Sequence, residues 1–285
     1  MARLTGRHHD FYVRFWGVRG SIACGGADYA KYGGNTSCVE VGVAGKTLIF
    51  DGGTGIRELG DQLAAKPPVD ADIFLSHSHV DHIVGLPFFS PLYDQRNTFR
   101  VWSGHLNGDG STRTAIHSLM AAPIFPVDPA IFTARVTYRD FRAGEELEVA
   151  RGLTIRTAQL NHPNGATGYR IDQNGKSIAY VTDTEHRPDE LDEVVINLAR
   201  GADIMIYDAT YTDQEYPEKK GFGHSTWQEG LKVAAAAEVK MLVLFHHDPS
   251  HTDKMMDRIA RDATAAGKAA GIKVDVAREG VTLRP

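Results

Sequence analysis

Six short apolar runs in this chain each lead into a histidine or an aspartate, and this pattern restricts the fold more than any other feature. The runs have the length and the β-branched composition of buried strands. The residues reached by these runs are Asp51, His77, His162, Asp183, Asp208 and His246. Because the carboxyl ends of neighbouring strands line one edge of a layered α/β fold, we expect these side chains to meet in one cleft.

The rest of the chain alternates strand and helix patterns, which predicts an α/β fold with layered sheets and helices. We predict strands at 11–16, 38–43 and 46–50, and helices at 55–65, 190–200, 226–237 and 254–266. A content of 42% hydrophobic and 24% charged residues is that of a globular protein with a core. Since no repeat or low-complexity linker divides the sequence, we expect one domain over residues 1–285.

The charge and hydropathy of the sequence restrict its partners. The formal net charge is −5 and no Lys/Arg run is present. This argues against a long nucleic acid, because phosphate-backbone binding needs a clustered basic surface. Residues 1–10 lack the apolar segment of a signal peptide, and no apolar run approaches the roughly 20 residues of a membrane span. We therefore expect a cytoplasmic protein without a membrane partner.

A dense group of ligand-type residues follows one of the strands. With only two cysteines in the chain, a metal would have to be held by histidines and carboxylates. The segment His77-Ser78-His79-Val80-Asp81-His82 places four such residues within six positions. His77 and His79 project to the same side of an extended segment and can hold one ion together. Asp81 and His82 project differently, which favours a second ion.

Two ions need more ligands than this segment supplies, and the later strand ends provide them. The first ion is assigned His77, His79 and His162, the second Asp81, His82 and His246, with Asp183 bridging the two. Such a bridge fits the separation of about 3.5–4 Å that is typical of two-metal hydrolases. Zinc is the default ion for a site rich in histidine, while the carboxylates also admit manganese or iron.

The order of these residues resembles the metallo-β-lactamase superfamily of dinuclear hydrolases. The resemblance rests on His-X-His-X-Asp-His, a later His, the Asp of Thr182-Asp183-Thr184 and a final His after a strand. It extends from Asp51-Gly52-Gly53-Thr54-Gly55 to Leu244-Phe245-His246. It implies a four-layer αβ/βα sandwich with a dinuclear metal site. The motif is specific for the fold and much less specific for the substrate.

Two further segments look like the ribonuclease Z and phosphodiesterase group of that superfamily. They are Gly223-His224-Ser225-Thr226 and Tyr207-Asp208-Ala209-Thr210-Tyr211. The resemblance implies that His224 contacts the scissile phosphate and helps the leaving oxygen depart, and that Asp208 orients His224. The alternative is that His224 only precedes a helix N-cap at Ser225 and that Asp208 caps a strand end.

The chain also departs from the members that process transfer RNA. Their substrate-binding arm lies between the residues that correspond to His162 and Asp183, and here positions 162 and 183 are only 21 residues apart. Together with the acidic net charge, this favours a small phosphodiester, of the cyclic nucleotide or cyclic sugar phosphate type. We expect a metal-activated water as nucleophile, with Asp81 accepting its proton.

Two other functions stay open at this point. A hydrolase of the same fold can cleave a lactone, a lactam or a thioester, and a non-catalytic sensory module can keep metals for structure alone. The apolar stretch 119–127 is a pocket wall, a core-packing excursion or a homodimer contact. Asp51 is expected to orient the ligand loop, and His105 and His117 to be surface residues. His186, His247 and His251 have no assigned role.

Overall fold

The computed structural model describes residues 11–106, 110–188 and 190–285, so the signal-peptide prediction for residues 1–10 lies outside the described residues. The strands are β1 Tyr12–Gly17, β2 Cys38–Val43, β3 Lys46–Phe50, β4 Asp70–Leu75, β5 Thr98–Ser103, β6 Arg135–Asp140, β7 Glu146–Ala150, β8 Leu153–Leu160, β9 Ala166–Gln173, β10 Lys176–Val181, β11 Ile204–Asp208, β12 Met241–Phe245, β13 Lys273–Val276 and β14 Thr282–Leu283. The helices are α1 Ile56–Ala64, α2 Val80–Ile83, α3 Thr112–Leu119, α4 Glu193–Ala199, α5 Trp227–Ala236 and α6 Asp253–Ala270.

The strands form two sheets of seven strands each. The first has the order β14-β1-β2-β3-β4-β5-β6 and the second the order β13-β12-β11-β10-β9-β8-β7. Aromatic side chains fill the space between them, and the Phe50 ring lies 5.3 Å from Phe74 and 5.5 Å from Tyr180 between ring centroids. This core draws buried side chains from both sheets, so the hydrophobic effect holds the two sheets face to face.

Each sheet is covered on its outer face by three helices. Helices α1 to α3 contribute residues such as Ile56 and Ile116 to the core outside the first sheet. Helices α4 to α6 contribute Val195, Val233 and Met256 to the core outside the second sheet. The resulting order of layers is helix, sheet, sheet, helix, and the layered αβ/βα sandwich predicted from the sequence is confirmed.

The strand directions explain why six strand ends meet at one edge. Strand β3 is parallel to β4, and β10, β11 and β12 are mutually parallel. Strands β8, β9 and β10 alternate in direction, so β8 runs the same way as β10. Within each sheet the ligand-bearing strands therefore end on the same side, because parallel strands end on the same side of their sheet. The side chains that follow the two sets of strands meet in one cluster.

Helix ends differ from the sequence prediction for local reasons. The helix predicted from residue 190 begins only at Glu193, because the Asp192 side chain accepts from the amides of Val194 and Val195 as an N-cap. The last long helix runs to Ala270, where Gly271 adopts a left-handed φ of 73° that ends the helix. At α5 the N-cap is Thr226; the predicted N-cap at Ser225 is wrong by one residue.

The segment that follows α3 is exposed. Ile124 is 79% exposed, so core packing is the wrong interpretation for this residue. The ring of Phe125 meets that of Phe88 in an edge contact of 5.9 Å between centroids. A pocket wall and a homodimer contact stay predictions for the stretch 119–127.

Candidate metal centre

Nine histidine and aspartate side chains meet at the edge where the ligand-bearing strands end. Their donor atoms form four overlapping groups in which all atoms lie within 4.8 Å of one another. The groups are His77, His79 and His162; Asp81, His82 and His246; His77, His82 and Asp183; and Asp183, Asp208, His224 and His246. The first two groups contain the residues that the sequence assigns to two separate ions, and Asp183 takes part in both remaining groups. The metal-binding role of these residues stays a prediction.

The backbone turns sharply at three of these strand ends. Asp51, Asp183 and His246 have φ values of 61°, 57° and 61°. A non-glycine residue in this left-handed region costs about 1–3 kcal/mol and persists only where its surroundings fix it. Such strain is concentrated at functional sites, and here it occurs where each strand delivers a side chain to the cluster.

Two glycines allow neighbouring loops to lie directly against the imidazoles. A Cβ atom added to Gly20 would stand 2.4 Å from the ring of His246, and one added to Gly223 would stand 2.3 Å from Nδ1 of His162. Both contacts are far inside van der Waals distance. These positions require glycine because the backbone itself covers the histidine rings.

Asp51 lies behind the cluster and organises it. Its buried carboxylate accepts hydrogen bonds from the Ser76 amide at 2.7 Å, from the Tyr180 hydroxyl at 2.8 Å and from Nδ1 of His82 at 2.9 Å. A carboxylate behind a ligating histidine fixes the ring orientation and its tautomer. The position of Asp51 is thus that of an orienting residue, as the sequence predicts.

The same ring nitrogen is engaged in four of the histidines. The pairs are Nδ1 of His77 with Ser76 Oγ at 3.0 Å, Nδ1 of His82 with Asp51, Nδ1 of His162 with the Gly223 carbonyl at 2.8 Å, and Nδ1 of His246 with Thr210 Oγ1 at 3.0 Å. The hydroxyls of Ser76 and Thr210 donate to Asp51 and Asp208, so they accept from the imidazoles. Each Nδ1 therefore carries a proton, so Nε2 is the ring nitrogen that can bind a cation once it is unprotonated.

The ring nitrogens lie close together in the centre of the cluster. Nε2 of His82 lies 3.3 Å from Nε2 of His246, and Nε2 of His162 lies 3.1 Å from Nδ1 of His79. Nε2 of His77 is buried and has no hydrogen-bond partner among the described residues. A buried polar atom without a partner costs about 1–3 kcal/mol. The donor set therefore fits divalent cations, which these nitrogens could bind in place of protons.

Two carboxylates bring negative charge into the cluster. Asp183 Oδ2 lies 3.0 Å from Nε2 of His82, and its Oδ1 lies 3.4 Å from Nε2 of His246. Burial raises the pKa of Asp183, but the surrounding imidazoles, first His246 and then His82, oppose this and hold the pKa well below its usual range. Asp81 accepts a hydrogen bond from the Ser21 amide at 2.8 Å. Asp183 Oδ1 also lies 3.9 Å from Nε2 of His162, so this ionised carboxylate is close to residues assigned to both predicted ions.

His224 lies at the edge of the cluster and is held by Asp208. Its Nδ1 is 3.0 Å from Asp208 Oδ2 and 3.5 Å from Asp183 Oδ1. Burial lowers the pKa of this imidazole, but Asp208, followed by Asp183 and Asp81, overcomes that effect and raises the pKa to about 9. Asp208 also accepts from the amides of Thr184 and Thr210 at 3.2 and 3.1 Å, so it caps the strand end as well as contacting His224. The catalytic roles of His224 and Asp208 stay a prediction.

Sequence reasoning missed three buried histidines outside this cluster. His105 is 4% exposed and lies between the hydroxyls of Ser103 and Ser78, at 2.7 and 3.0 Å, so its prediction as a surface residue is wrong. His247 and His251 are also buried. No periodicity in the sequence marks these positions, because their burial results from loops that fold over them.

Sequence reasoning also missed Glu185. Its carboxylate accepts from the amides of Gly221 and Gly223 at 2.7 and 2.8 Å and from the Tyr216 hydroxyl at 3.1 Å. It thereby anchors the loop that leads to His224. The only signal in the sequence was its position two residues after Asp183.

Comparison with known proteins now identifies the family. Residues 46–247 match the family model described as the Beta-lactamase superfamily domain. The chain belongs to the metallo-β-lactamase superfamily. This superfamily assignment covers the ligand segment, Asp183 and His246, and it makes the chain a hydrolase of the metallo-β-lactamase fold with a cluster suited to divalent metals.

The superfamily relatives with similar sequences include ribonucleases Z. Ribonuclease Z of Streptococcus suis (strain 98HAH33) is 25% identical over 264 residues, which cover 76% of this chain and 84% of that protein. Ribonuclease Z of Bradyrhizobium sp. (strain ORS 278) is 28% identical over 275 residues, which cover 81% and 89%. The chain is thus similar to ribonucleases Z over most of its length.

Solved structures of the superfamily share the fold over nearly the whole chain. The metallo-beta-lactamase fold protein YhfI from Bacillus subtilis has a TM-score of 0.72 at 17% identity and covers 97% of this chain and 100% of that one. A diphosphatase from the PhnP family has a TM-score of 0.69 at 19% identity, covering 96% and 98%. The short form of human tRNase Z has a TM-score of 0.65 at 18% identity, covering 95% and 98%. At these identities the likeness establishes the fold alone.

The described helices were also compared with the requirements of a membrane span. Among them, none combines the length and the apolar character that crossing a bilayer requires.

Proposed function

We propose that this protein is a metal-dependent phosphodiesterase that hydrolyses a small phosphodiester, of the cyclic nucleotide or cyclic sugar phosphate type. The observation that carries the proposal is the pair of His224 and Asp208 beside the cluster, with Nδ1 of His224 3.0 Å from Asp208 and 3.5 Å from Asp183. A histidine held in this way can act on a leaving oxygen, which a purely structural metal site does not need.

The proposed metal ligands are the residues assigned from the sequence. They are His77, His79, Asp81, His82, His162, Asp183 and His246. Two divalent ions, zinc by default, with manganese or iron as alternatives, would polarise the phosphoryl oxygens and lower the pKa of a water towards about 7. The ions would also offset the negative charge of Asp81 and Asp183, so an anionic substrate is accepted inside an acidic protein.

The side chains of this chain divide the proton transfers between them. The oxygen of a water bonds to phosphorus while the bond from phosphorus to the leaving oxygen breaks. Asp81, a buried residue of the cluster, accepts the proton of the water. His224 donates a proton to the leaving oxygen or stabilises a non-bridging oxygen, and Asp208 keeps its ring in place. A positioned general acid contributes about 10²–10⁴-fold to the rate.

The size of the proposed substrate rests on what joins His162 to Asp183. The intervening residues form β9 and β10, two strands connected by a tight turn, so no extended arm leaves the fold there. The net charge of −5 also disfavours a long polyanion. Since the relatives are ribonucleases by name, RNA has to be included as an explicit arm of the test.

The experiment is a substrate panel on metal-loaded protein. The panel contains bis(p-nitrophenyl) phosphate, cyclic nucleotides, a cyclic sugar phosphate, a precursor transfer RNA, lactones, lactams and thioesters. We expect turnover of the small phosphodiesters, with kcat lowered about 10²–10⁴-fold by His224→Ala. Elemental analysis of protein purified without added metal identifies the ions and their number, and it must show the same content in both proteins.

Four outcomes contradict the proposal. Activity on the acyl substrates alone favours the lactone, lactam or thioester hydrolase of the same fold. Cleavage of the precursor RNA without turnover of small phosphodiesters replaces the small substrate with RNA. Full phosphodiester turnover by His224→Ala removes the residue that carries the argument. Loss of all activities in metal-loaded wild type favours the sensory module.

A further inference from the structure

A short basic loop with an exposed aromatic residue leads directly into His224. It contains Lys219-Lys220-Gly221-Phe222-Gly223, and we call it the platform loop. Phe222 is 59% exposed although it lies only two residues before His224. A single exposed apolar side chain is ordinary on a protein surface. The platform loop is distinguished by its attachment to the cluster and by the cation that lies beside its aromatic ring.

The platform loop is fixed to the metal centre by hydrogen bonds at both of its glycines. The Glu185 carboxylate accepts from the Gly221 and Gly223 amides, and the Gly223 carbonyl accepts from Nδ1 of His162 at 2.8 Å. Phe222 stands between these two anchored glycines. An aromatic ring on a pre-organised support loses little conformational freedom when it binds a ligand.

Lys219 connects the platform loop with His224. Its ammonium lies 5.8 Å from the ring centroids of both Tyr211 and Phe222, and the Tyr211 ring makes an edge contact with His224 at 5.9 Å. Among the described residues, no carboxylate forms an ion pair with Lys219. This cation therefore keeps its charge available for an anion beside the catalytic histidine.

Exposed apolar side chains also stand on two other segments around the cluster. Ile22 is 64% exposed and follows Ser21, whose amide donates to Asp81. Val80 is 63% exposed and is the first residue of α2, between the predicted ligands His79 and Asp81. The surroundings of the cluster thus offer apolar surface on three separate segments, which suits a substrate with a flat organic group better than one composed only of hydroxyls.

We propose that Phe222 and Lys219 form the subsite for the organic group of the substrate. Phe222 stacks on a planar heterocycle of the substrate, and Lys219 binds the negatively charged phosphate next to that heterocycle. This inference rests on the proposed phosphodiesterase function and narrows it, because it selects a nucleotide over a sugar phosphate. Stacking between a base and an aromatic side chain tolerates any base, so the subsite predicts a preference for nucleotides without a strong preference among bases.

The test compares two substrates that differ only in the base. They are a nucleoside 2′,3′-cyclic phosphate and the corresponding ribose cyclic phosphate without a base, and the quantity measured is the ratio of their kcat/KM values. We expect Phe222→Ala to lower this ratio about 5- to 150-fold, mainly through KM for the nucleotide. Phe222→Tyr should restore the ratio. Phe88→Ala is the matched control, because Phe88 is 57% exposed and lies in the short 3-10 helix Leu86–Phe88, on a different segment of the chain, and it should leave the ratio unchanged.

Lys219→Gln tests the second half of the subsite. We expect it to lower kcat/KM for both substrates and to weaken the decline of kcat/KM with increasing salt, because one attractive charge is lost. Turnover of both substrates with a ratio that Phe222→Ala leaves unchanged overturns the subsite alone. A wild type that hydrolyses no phosphodiester overturns the proposed function and the subsite with it, so the two failures are distinguishable.

Discussion

Two sets of buried histidines in this protein differ in how their ring nitrogens are used. In the cluster, His77, His82, His162 and His246 engage Nδ1 with the protein and direct Nε2 inwards. Outside it, Nε2 of His247 donates to the Ala277 carbonyl at 2.9 Å, and Nε2 of His251 donates to Glu215 at 2.8 Å. Burial is common to both sets, and Nδ1 of His247 and of His251 also lacks a partner among the described residues. Of the two sets, only the first has ring nitrogens that converge on one another.

The difference shows that burial alone does not identify a metal ligand. Burial lowers the pKa of His77 well below its ordinary value and also lowers the pKa of His247, to about 3. Both rings are therefore neutral at pH 7. What separates them is the surrounding structure, because acceptors behind the cluster fix the tautomer that leaves Nε2 free for a cation. The following predictions test that distinction.

The largest effect on activity and metal content is expected from removing an imidazole whose Nε2 faces the centre of the cluster. His77→Ala should lower phosphodiesterase activity by about 10³-fold or more, because metal-ion catalysis contributes several kcal/mol, and the metal content should fall. His251→Gln is the matched control from the other set and should retain full metal content. The comparison fails if elemental analysis shows the two variants losing metal equally.

Metal removal should destabilise the folded protein through the same nitrogens. A ligand present at 100 times its Kd stabilises the native state by about 2.7 kcal/mol, so chelation should lower the Tm of wild type. His77→Ala, which already binds metal weakly, should respond less to the chelator. Thermal unfolding with and without chelator measures the difference; an equal response in both proteins would mean that the cluster does not bind the metal.

A smaller effect is expected from the residue behind the ligands. Asp51→Asn should weaken metal affinity or activity by about 10- to 100-fold, because an amide does not replace the carboxylate that orients His82. Asp72→Asn provides a control, since Asp72 is another buried carboxylate of the first sheet and pairs with Arg100 away from the cluster. Metal titration of both variants separates orientation of a ligand from general stability.

The smallest effect concerns the pH dependence of stability that a histidine outside the cluster, His105, produces. Burial lowers the pKa of His105 to about 4, whereas the unfolded chain has a value near 6.5. Between these values the unfolded state binds a proton that the folded state does not, so this histidine makes the free energy of unfolding fall as the pH is lowered from about 6.5 to 4. In urea unfolding measured at these two pH values, His105→Gln should lose less of its free energy of unfolding than wild type does. A decline as steep as that of wild type would show that His105 is not held neutral.

Much of the site could be predicted because its residues follow strands. Strands at 38–43 and 46–50 are recognisable from local pattern and were found with these bounds, and Asp51 comes directly after the second of them. The layered architecture follows from alternating elements, and superfamily membership from the spacing of the ligand motif. Each of these features lies within a short stretch of sequence, and the parallel arrangement of the strands brings the residues at the strand ends close together.

Other parts depended on contacts between distant segments. Glu185 organises the platform loop across more than 30 positions of sequence, with separations of 36 and 38 residues to the two glycine amides. His105 and His251 are buried by loops that no periodicity predicts. The requirement for glycine at position 223 becomes visible only when the His162 ring lies against it.

The sequence by itself thus determined the superfamily, the layered α/β class and the identity of the residues that meet at the sheet edge. Short apolar runs and the spacing of ligand-type residues are properties of a local chain segment, so they can be recognised from the sequence alone. The tertiary structure decided which nitrogen of each histidine faces the centre and which exposed groups surround it. Those properties depend on hydrogen bonds such as Asp51 to His82 and Gly223 to His162, which form only when segments far apart in the chain are brought together.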